Sequence, residues 1–169
     1  MTGHVLTEKL DKVFYECGKH LARLESASEK MAPFMPLDTQ KYTRLSEDEI
    51  MYIDQFLFRF AKLQDAMGQK LFRYMLLYLQ EEIEDKPFID ILNRMEKLGL
   101  IENAHIWKAL REDRNELAHH YEDDPAEMSV VINNLYAKKA VLKNIYLTIK
   151  EHYQARQESD RQSQKSARL

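Results

Sequence analysis

One short segment combines residue types that can cleave a phosphodiester bond. Arg114, Asn115, His119 and Tyr121 form the pattern R-N-x-x-x-H-x-Y. An imidazole that titrates near neutral pH can take or give a proton, and a guanidinium stays charged and can bind phosphate with two hydrogen bonds. RNA cleavage without a metal ion needs both functions, with the ribose 2′-hydroxyl as nucleophile. The segment is therefore the candidate catalytic site, with Arg114 on the phosphate, His119 in proton transfer and Asn115 in support.

On an α-helix, the arginine and the histidine of this pattern point in different directions. Arg114 and His119 would lie about 140° apart around the axis and about 7.5 Å apart along it. Asn115 precedes His119 by four residues and shares its face, whereas Tyr121 returns to within about 20° of the Arg114 direction. Their polar ends can meet only if the Arg114 side chain lies along the helix surface, or if a second copy of the chain brings its own residues across a two-fold axis. A symmetric dimer would also supply the second histidine that acid–base cleavage needs, so a homodimer is expected.

The elements that position these residues are predicted to be helices. Only four Gly and four Pro interrupt the chain. Ser46 with Glu49 forms a capping box, Gly99 fits a helix end, and Asp124 caps the last helix. Apolar residues recur with a helical period in five stretches, 6–24, 50–78, 88–95, 106–117 and 128–149. The expected fold class is all-α, a mainly antiparallel bundle of about five helices.

Length and composition limit the classes of protein. The chain has 169 residues, 44% of them hydrophobic, enough for one domain with a buried core that includes Cys17. That domain is expected over residues 1–153, and 154–169, almost without apolar residues, is expected to be a disordered tail. A formal net charge of −3 argues against a protein that coats nucleic acid without regard to sequence. Neither a signal-peptide pattern nor a membrane-spanning run is present, so the expected location is cytoplasmic.

The pattern from Arg114 to Tyr121 resembles the signature of the HEPN superfamily, in which an arginine is followed after four to six residues by a histidine. The stricter form R-x-x-x-x-H-x-Y is that of the HepT branch, and every fixed position is matched here. The resemblance extends more loosely over about residues 50 to 150. Four further residues lie at similar offsets, Trp107 upstream and Ala126, Ile132 and Tyr136 downstream.

This resemblance implies a fold, an activity and partners. The fold would be HEPN-like, with a core at about residues 46 to 153. The activity would be that of a metal-independent endoribonuclease, the toxin of a toxin–antitoxin pair. Its partners would be RNA and a minimal nucleotidyltransferase antitoxin. In the HepT branch the antitoxin attaches AMP to the tyrosine that corresponds to Tyr121, which makes this residue the implied site of regulation. The resemblance implies no cofactor.

Two other interpretations of the same residues stay open. A sister family of helical proteins, described as substrate-binding partners of nucleotidyltransferases, has a similar spacing and is not recognised primarily as nucleases. A pure interaction bundle is the third possibility, since Arg114, Asn115 and His119 near a helix C-terminus also complement the helix dipole and cap carbonyls.

Polar residues elsewhere also invite a functional interpretation. Asp65 and Gly68 interrupt the apolar second helix, where a glycine typically permits close packing and a half-buried aspartate typically pairs with an arginine. The functional alternative is that Asp65 orients Arg114. Two E-x-x-H motifs, at 102–105 and 116–119, would lie about 21 Å apart on one helix, too far to converge in one chain, so no metal site is expected.

Overall fold

The computed structural model describes residues 2–119 and 124–169, and all regular structure in these ranges is helical. The helices are α1 (Gly3–Met31), α2 (Thr39–Thr43), α3 (Glu47–Ala66), α4 (Phe72–Tyr78), α5 (Phe88–Lys97), α6 (Ala104–His119) and α7 (Pro125–Ala167). A 3-10 turn, Ala32–Phe34, follows α1, and a π-helical turn, Met67–Leu71, joins α3 and α4 into one rod. The all-α class is confirmed, and the rod is the predicted long second helix.

The ends of the helices form where capping residues stand. The Ser46 hydroxyl accepts a hydrogen bond from the Glu49 backbone N–H, and the Glu49 carboxylate accepts one from the Ser46 backbone N–H, completing the capping box before α3. Gly99 ends α5 with a φ of 71°, a left-handed conformation that costs glycine little. The Asp124 carboxylate accepts a hydrogen bond from the Glu127 backbone N–H at the start of α7. These three predicted ends are confirmed.

Side-chain contacts give the relative directions of the main helices. On α7, the Tyr136 hydroxyl reaches the Ser28 carbonyl and the Tyr153 hydroxyl reaches Asp11, so α7 runs antiparallel to α1. In the same way α6 runs antiparallel to the α3–α4 rod, because Trp107 packs on Phe72 while Arg114, further along, bonds Asp65. The bundle is therefore mainly antiparallel, as expected.

The apolar stripes form one core between these helices. The residues predicted to face it from α1 and α7 are buried, and so are most of those from the rod. On the rod, Leu57, Tyr74 and Tyr78 are only partly buried, and Ile50 is 44% exposed. Cys17 is fully buried, and burial raises the pKa of its thiol to about 12, which makes it a packing residue. No helix within the described ranges has an apolar stretch long enough to cross a bilayer.

Two segments differ from the sequence-based expectation. Residues 154–169 were expected to be disordered, but α7 continues to Ala167. They contain neither Gly nor Pro and are rich in helix-forming Gln, Glu, Lys and Arg, while the Tyr78 hydroxyl bonds Asp160 at 3.3 Å and anchors the helix to α4. The short α2 was not predicted, because it has no apolar period; it forms because the Asp38 carboxylate caps the Lys41 N–H.

Candidate functional site

An ion pair joins the motif helix to the long rod. The Arg114 guanidinium on α6 donates to both oxygens of the Asp65 carboxylate on α3, one of these hydrogen bonds measuring 3.0 Å. The two side chains are 36% and 31% exposed. A bidentate pair fixes the plane of a guanidinium as well as its position. Of the sequence-predicted site residues, the structure thus brings Asp65 and Arg114 together, over a separation of 49 residues in the chain.

The backbone beside Asp65 is irregular. The π turn Met67–Leu71 follows directly after α3 and contains Gly68. A Cβ at Gly68 would lie 3.0 Å from the Trp107 ring of α6, so only glycine permits this approach without movement of the indole. π turns inside α-helices occur frequently at functional sites, because the extra residue redirects side chains. Here the close approach holds α6 against the rod at the level of Asp65.

A cavity of about 230 Å³ lies between the rod and α6. Its apolar wall contains Phe88 and Trp107, and Phe72 packs edge-on behind the indole with 4.5 Å between ring centres. Its polar lining includes Asp65, Gln69, Arg111 and Arg114. The Arg111 guanidinium also lies over the Phe88 ring, 5.3 Å from its centre, a cation–π contact. Two cationic side chains and aromatic rings therefore border one cavity.

Gln64 is the unexpected residue of this cavity. It is only 2% exposed and lines the cavity, yet neither its amide nitrogen nor its amide oxygen has a hydrogen-bond partner among the described residues. The indole N–H of Trp107, a residue 1% exposed, also lacks one. Buried polar groups in folded proteins are nearly always paired. Two residues that line the cavity therefore carry two buried donor nitrogens and one buried acceptor oxygen whose hydrogen bonds are not made within the described structure.

The sequence did contain a signal for Gln64. It follows the buried Phe60 by four residues and precedes the buried Met67 by three, so it occupies a position of the apolar stripe. A polar residue in an apolar stripe is an informative exception. Arg111 carries no comparable signal, because an exposed arginine on a helix is common and only the packing of α6 places it at the cavity.

The other residues of the motif lie towards the end of α6. His119 is the last residue of the helix, and both it and Asn115 are exposed. Within the described ranges, neither side chain makes a hydrogen bond or an ion pair with Arg114. A single chain therefore does not bring the predicted catalytic residues Arg114, Asn115 and His119 into contact. Tyr121, the predicted site of modification, lies outside the described residues. Asp113, which directly precedes Arg114, forms an ion pair with Lys138 of α7, and this pair ties α6 to the bundle.

The E-x-x-H motifs remain separate. Glu102 precedes α6, whereas Glu116 and His119 are at its other end, and all three are exposed. In the described part of the chain, no group of three or more His, Cys, Asp or Glu side chains is placed to hold a metal ion. The cavity itself contains one carboxylate, Asp65, which already bonds Arg114.

No model of a known family matches the chain, and no curated protein and no solved structure does so either.

Proposed function

We propose that this protein is a metal-independent endoribonuclease of the HEPN type, acting in the cytoplasm as the toxin of a toxin–antitoxin pair. The observation that carries the proposal is the placement of Arg114, held by Asp65 at a cavity and on the same helix as the exposed His119. This placement gives the phosphate-binding group of the R-N-x-x-x-H-x-Y pattern a fixed orientation, which a surface arginine would otherwise lack.

Arg114 remains able to bind a phosphate while it bonds Asp65. A guanidinium has five N–H donors, and the two hydrogen bonds to the carboxylate leave three for other acceptors. The Arg114 side chain is about one-third exposed, so it is not sealed from solvent by the bundle. Asp65 is the positioning residue in this scheme, because it sets the guanidinium plane without touching the RNA. An oriented cation stabilises the charge that develops on the phosphate in the transition state.

His119 carries the proton transfer. The ribose 2′-oxygen bonds to phosphorus as its proton passes to a base, and the P–O5′ bond breaks as the leaving oxygen takes a proton from an acid. One exposed imidazole can perform either step, and Asn115 on the same face is placed to support it. The second imidazole comes from another copy of the chain, so the proposed active form is a symmetric homodimer with the two α6 helices near the axis.

A small nucleotidyltransferase is the proposed antitoxin. It transfers AMP from ATP to the Tyr121 hydroxyl, with release of pyrophosphate. An added phosphate at this position would occupy the region where RNA phosphate binds and would repel it. Tyr121→Phe is expected to keep the nuclease activity and to escape neutralisation when the partner is co-expressed. Intact-mass spectrometry after incubation with the partner and ATP measures the adduct, and modification at any other residue would contradict this assignment.

Cleavage of RNA in the presence of EDTA tests the nuclease. His119→Ala and Arg114→Ala are each expected to lower the cleavage rate by about 10² to 10⁴, the usual effect of losing a positioned catalytic group. The matched controls are His105→Ala, an exposed histidine at the other end of α6, and Arg94→Ala, which removes an arginine that also binds a carboxylate with two hydrogen bonds. Equal losses in variant and control would contradict the assignment.

A non-catalytic, substrate-binding partner of a nucleotidyltransferase is the second candidate. The unpaired amide and indole groups of Gln64 and Trp107 favour it, because they suit binding and do no chemistry themselves. If the purified, folded protein binds the nucleotidyltransferase tightly and cleaves no RNA under any condition, this second function replaces the first.

A further inference from the structure

We infer that the cavity between the rod and α6 is a binding site for the base of a single nucleotide, with the nucleotide's phosphate at Arg111 and Arg114. The inference extends the proposed nuclease function by naming what its site binds. It rests on that function only for the statement that the nucleotide belongs to an RNA chain. The binding chemistry itself depends only on the residues that line the cavity.

The size of the cavity points to one planar ring system. At about 230 Å³ it is smaller than the cavities of roughly 300 to 1,000 Å³ that hold drug-sized ligands. It is larger than the roughly 150 Å³ cavity that accepts benzene in another protein. Phe88, which is half-buried, supplies the apolar ring surface against which a heteroaromatic ring can pack, beside Arg111, while Trp107, 1% exposed, forms the wall behind it. Aromatic rings bind bases of unpaired strands in this way, without regard to their sequence.

The unpaired polar groups match the edge of such a ring. The Gln64 amide offers one donor and one acceptor side by side, whichever way the amide is turned, and the Trp107 indole adds a donor. Nucleobases present adjacent donors and acceptors on their edges, and glutamine can bind such an edge with two hydrogen bonds. Without a ligand, burial of these groups costs free energy that an apolar residue of similar size would avoid.

Charge at the edge of the cavity fits the rest of a nucleotide. Arg111 is exposed and Arg114 is partly exposed, and both line the cavity. One carboxylate, Asp65, lines it as well, and it is engaged with Arg114. A base in the cavity would therefore leave its sugar phosphate near two guanidinium groups, which bind phosphate oxygens. If the proposed nuclease cleaves RNA at this phosphate, the cavity would hold the base next to the cleaved bond.

Trp107 is the only tryptophan of the chain, so its fluorescence reports on the cavity directly. The probes are the four ribonucleoside 5′-monophosphates, which have no internal phosphodiester bond, and single-stranded RNA methylated at its 2′-oxygens, which cannot be cleaved. We expect at least one monophosphate to change the emission in a saturable way, and ribose 5-phosphate, which lacks a base, to leave it unchanged. Tighter binding of the methylated RNA identifies an RNA chain as the source, and binding of monophosphates alone identifies a free nucleotide.

Gln64→Leu is the decisive variant. It removes the amide but keeps the approximate volume, and we expect about tenfold weaker nucleotide binding with an unchanged or higher melting temperature. Gln55→Leu, the same substitution at a half-buried position of the same helix, is the control and should bind as the wild type does. Wild-type affinity in Gln64→Leu, or no response to any probe at millimolar concentration, would overturn the inference. Binding without RNA cleavage would instead reject the nuclease and leave the inference standing.

Discussion

Two bidentate arginine–carboxylate pairs lie in different surroundings within the described part of the chain. Arg114 on α6 bonds Asp65 on α3 through two nitrogens, and Arg94 on α5 bonds Glu81, in the connection after α4, at 2.6 and 2.9 Å. The two arginines are exposed to a similar degree, 36% and 43%. The geometry of the pair and the exposure of its arginine therefore do not distinguish a structural pair from a functional one.

The two cavities beside the pairs do differ. The cavity at Arg94 is larger, about 550 Å³, but Glu82 and Asp90 line it together with Glu81. Lys86 and Arg94 line it too, so three carboxylates there face two cationic side chains. Within the described residues none of the side chains that line this cavity has a buried polar atom without a partner. The smaller cavity at Arg114 has a second arginine, aromatic walls and the unpaired Gln64 amide. The two sites therefore differ in the unpaired buried polar groups and the aromatic residues beside the ion pair, not in the ion pair itself.

The largest expected contrast between the two pairs is in catalysis. Asp65→Asn is expected to lower the rate of RNA cleavage by about 10²-fold, because a catalytic guanidinium misplaced by about 1 Å loses much of its effect. Glu81→Gln, the matched change at the other pair, should leave the rate unchanged. Single-turnover cleavage assays with both variants, together with their melting temperatures, measure this. Equal rates at equal stability would show that the Asp65 pair is as structural as the Glu81 pair.

Backbone packing near the cavity provides a second, smaller contrast. Gly68→Ala is expected to destabilise the fold by about 1 kcal/mol, since its Cβ would meet the Trp107 ring at 3.0 Å and Phe72 packs against that ring. Gly18→Ala is the control: its nearest neighbour is the Tyr146 hydroxyl at 3.5 Å, an ordinary contact, so it should stabilise α1 by about 0.5 to 1 kcal/mol. Urea unfolding measures both. If both substitutions increased the free energy of unfolding, the Trp107 ring would have to move aside at little cost.

The smallest expected effect concerns the pH dependence of the Arg94 pair. Hydrogen bonds from Arg94 hold the pKa of the Glu81 carboxyl below its ordinary value of 4.5. The folded state therefore favours the ionised form, and the stabilisation is complete above about pH 4.5 and is lost as the pH falls through the lowered pKa. Glu81→Gln should be less stable than the wild type at pH 7 and equal to it in strong acid. If the wild type remained more stable than Glu81→Gln in strong acid, the stabilisation would not come from the ionised Glu81 carboxylate.

Helix boundaries could be predicted because their causes are local. The capping box at Ser46, the glycine after α5 and the cap at Asp124 each act within one helical turn, and the apolar stripes follow from residue spacing along one helix. The same local reasoning failed at residues 154–169, where a lack of apolar residues predicted disorder although helix propensity and the contact of Asp160 with Tyr78 support a helix.

The candidate site depends on contacts between segments far apart in the chain. The types and spacing of Arg114, Asn115 and His119 made them candidate site residues in the sequence. The sequence did not determine which arginine pairs with Asp65. That choice depends on how α6 crosses the rod, and the crossing depends on the close approach of Trp107 to Gly68. Gln64 occupies a core position in the sequence, but the absence of a partner for its amide follows only from the packing around it. Local periodicity determines which face of a helix is buried, whereas only packing across the bundle determines which buried polar groups meet and which remain unpaired.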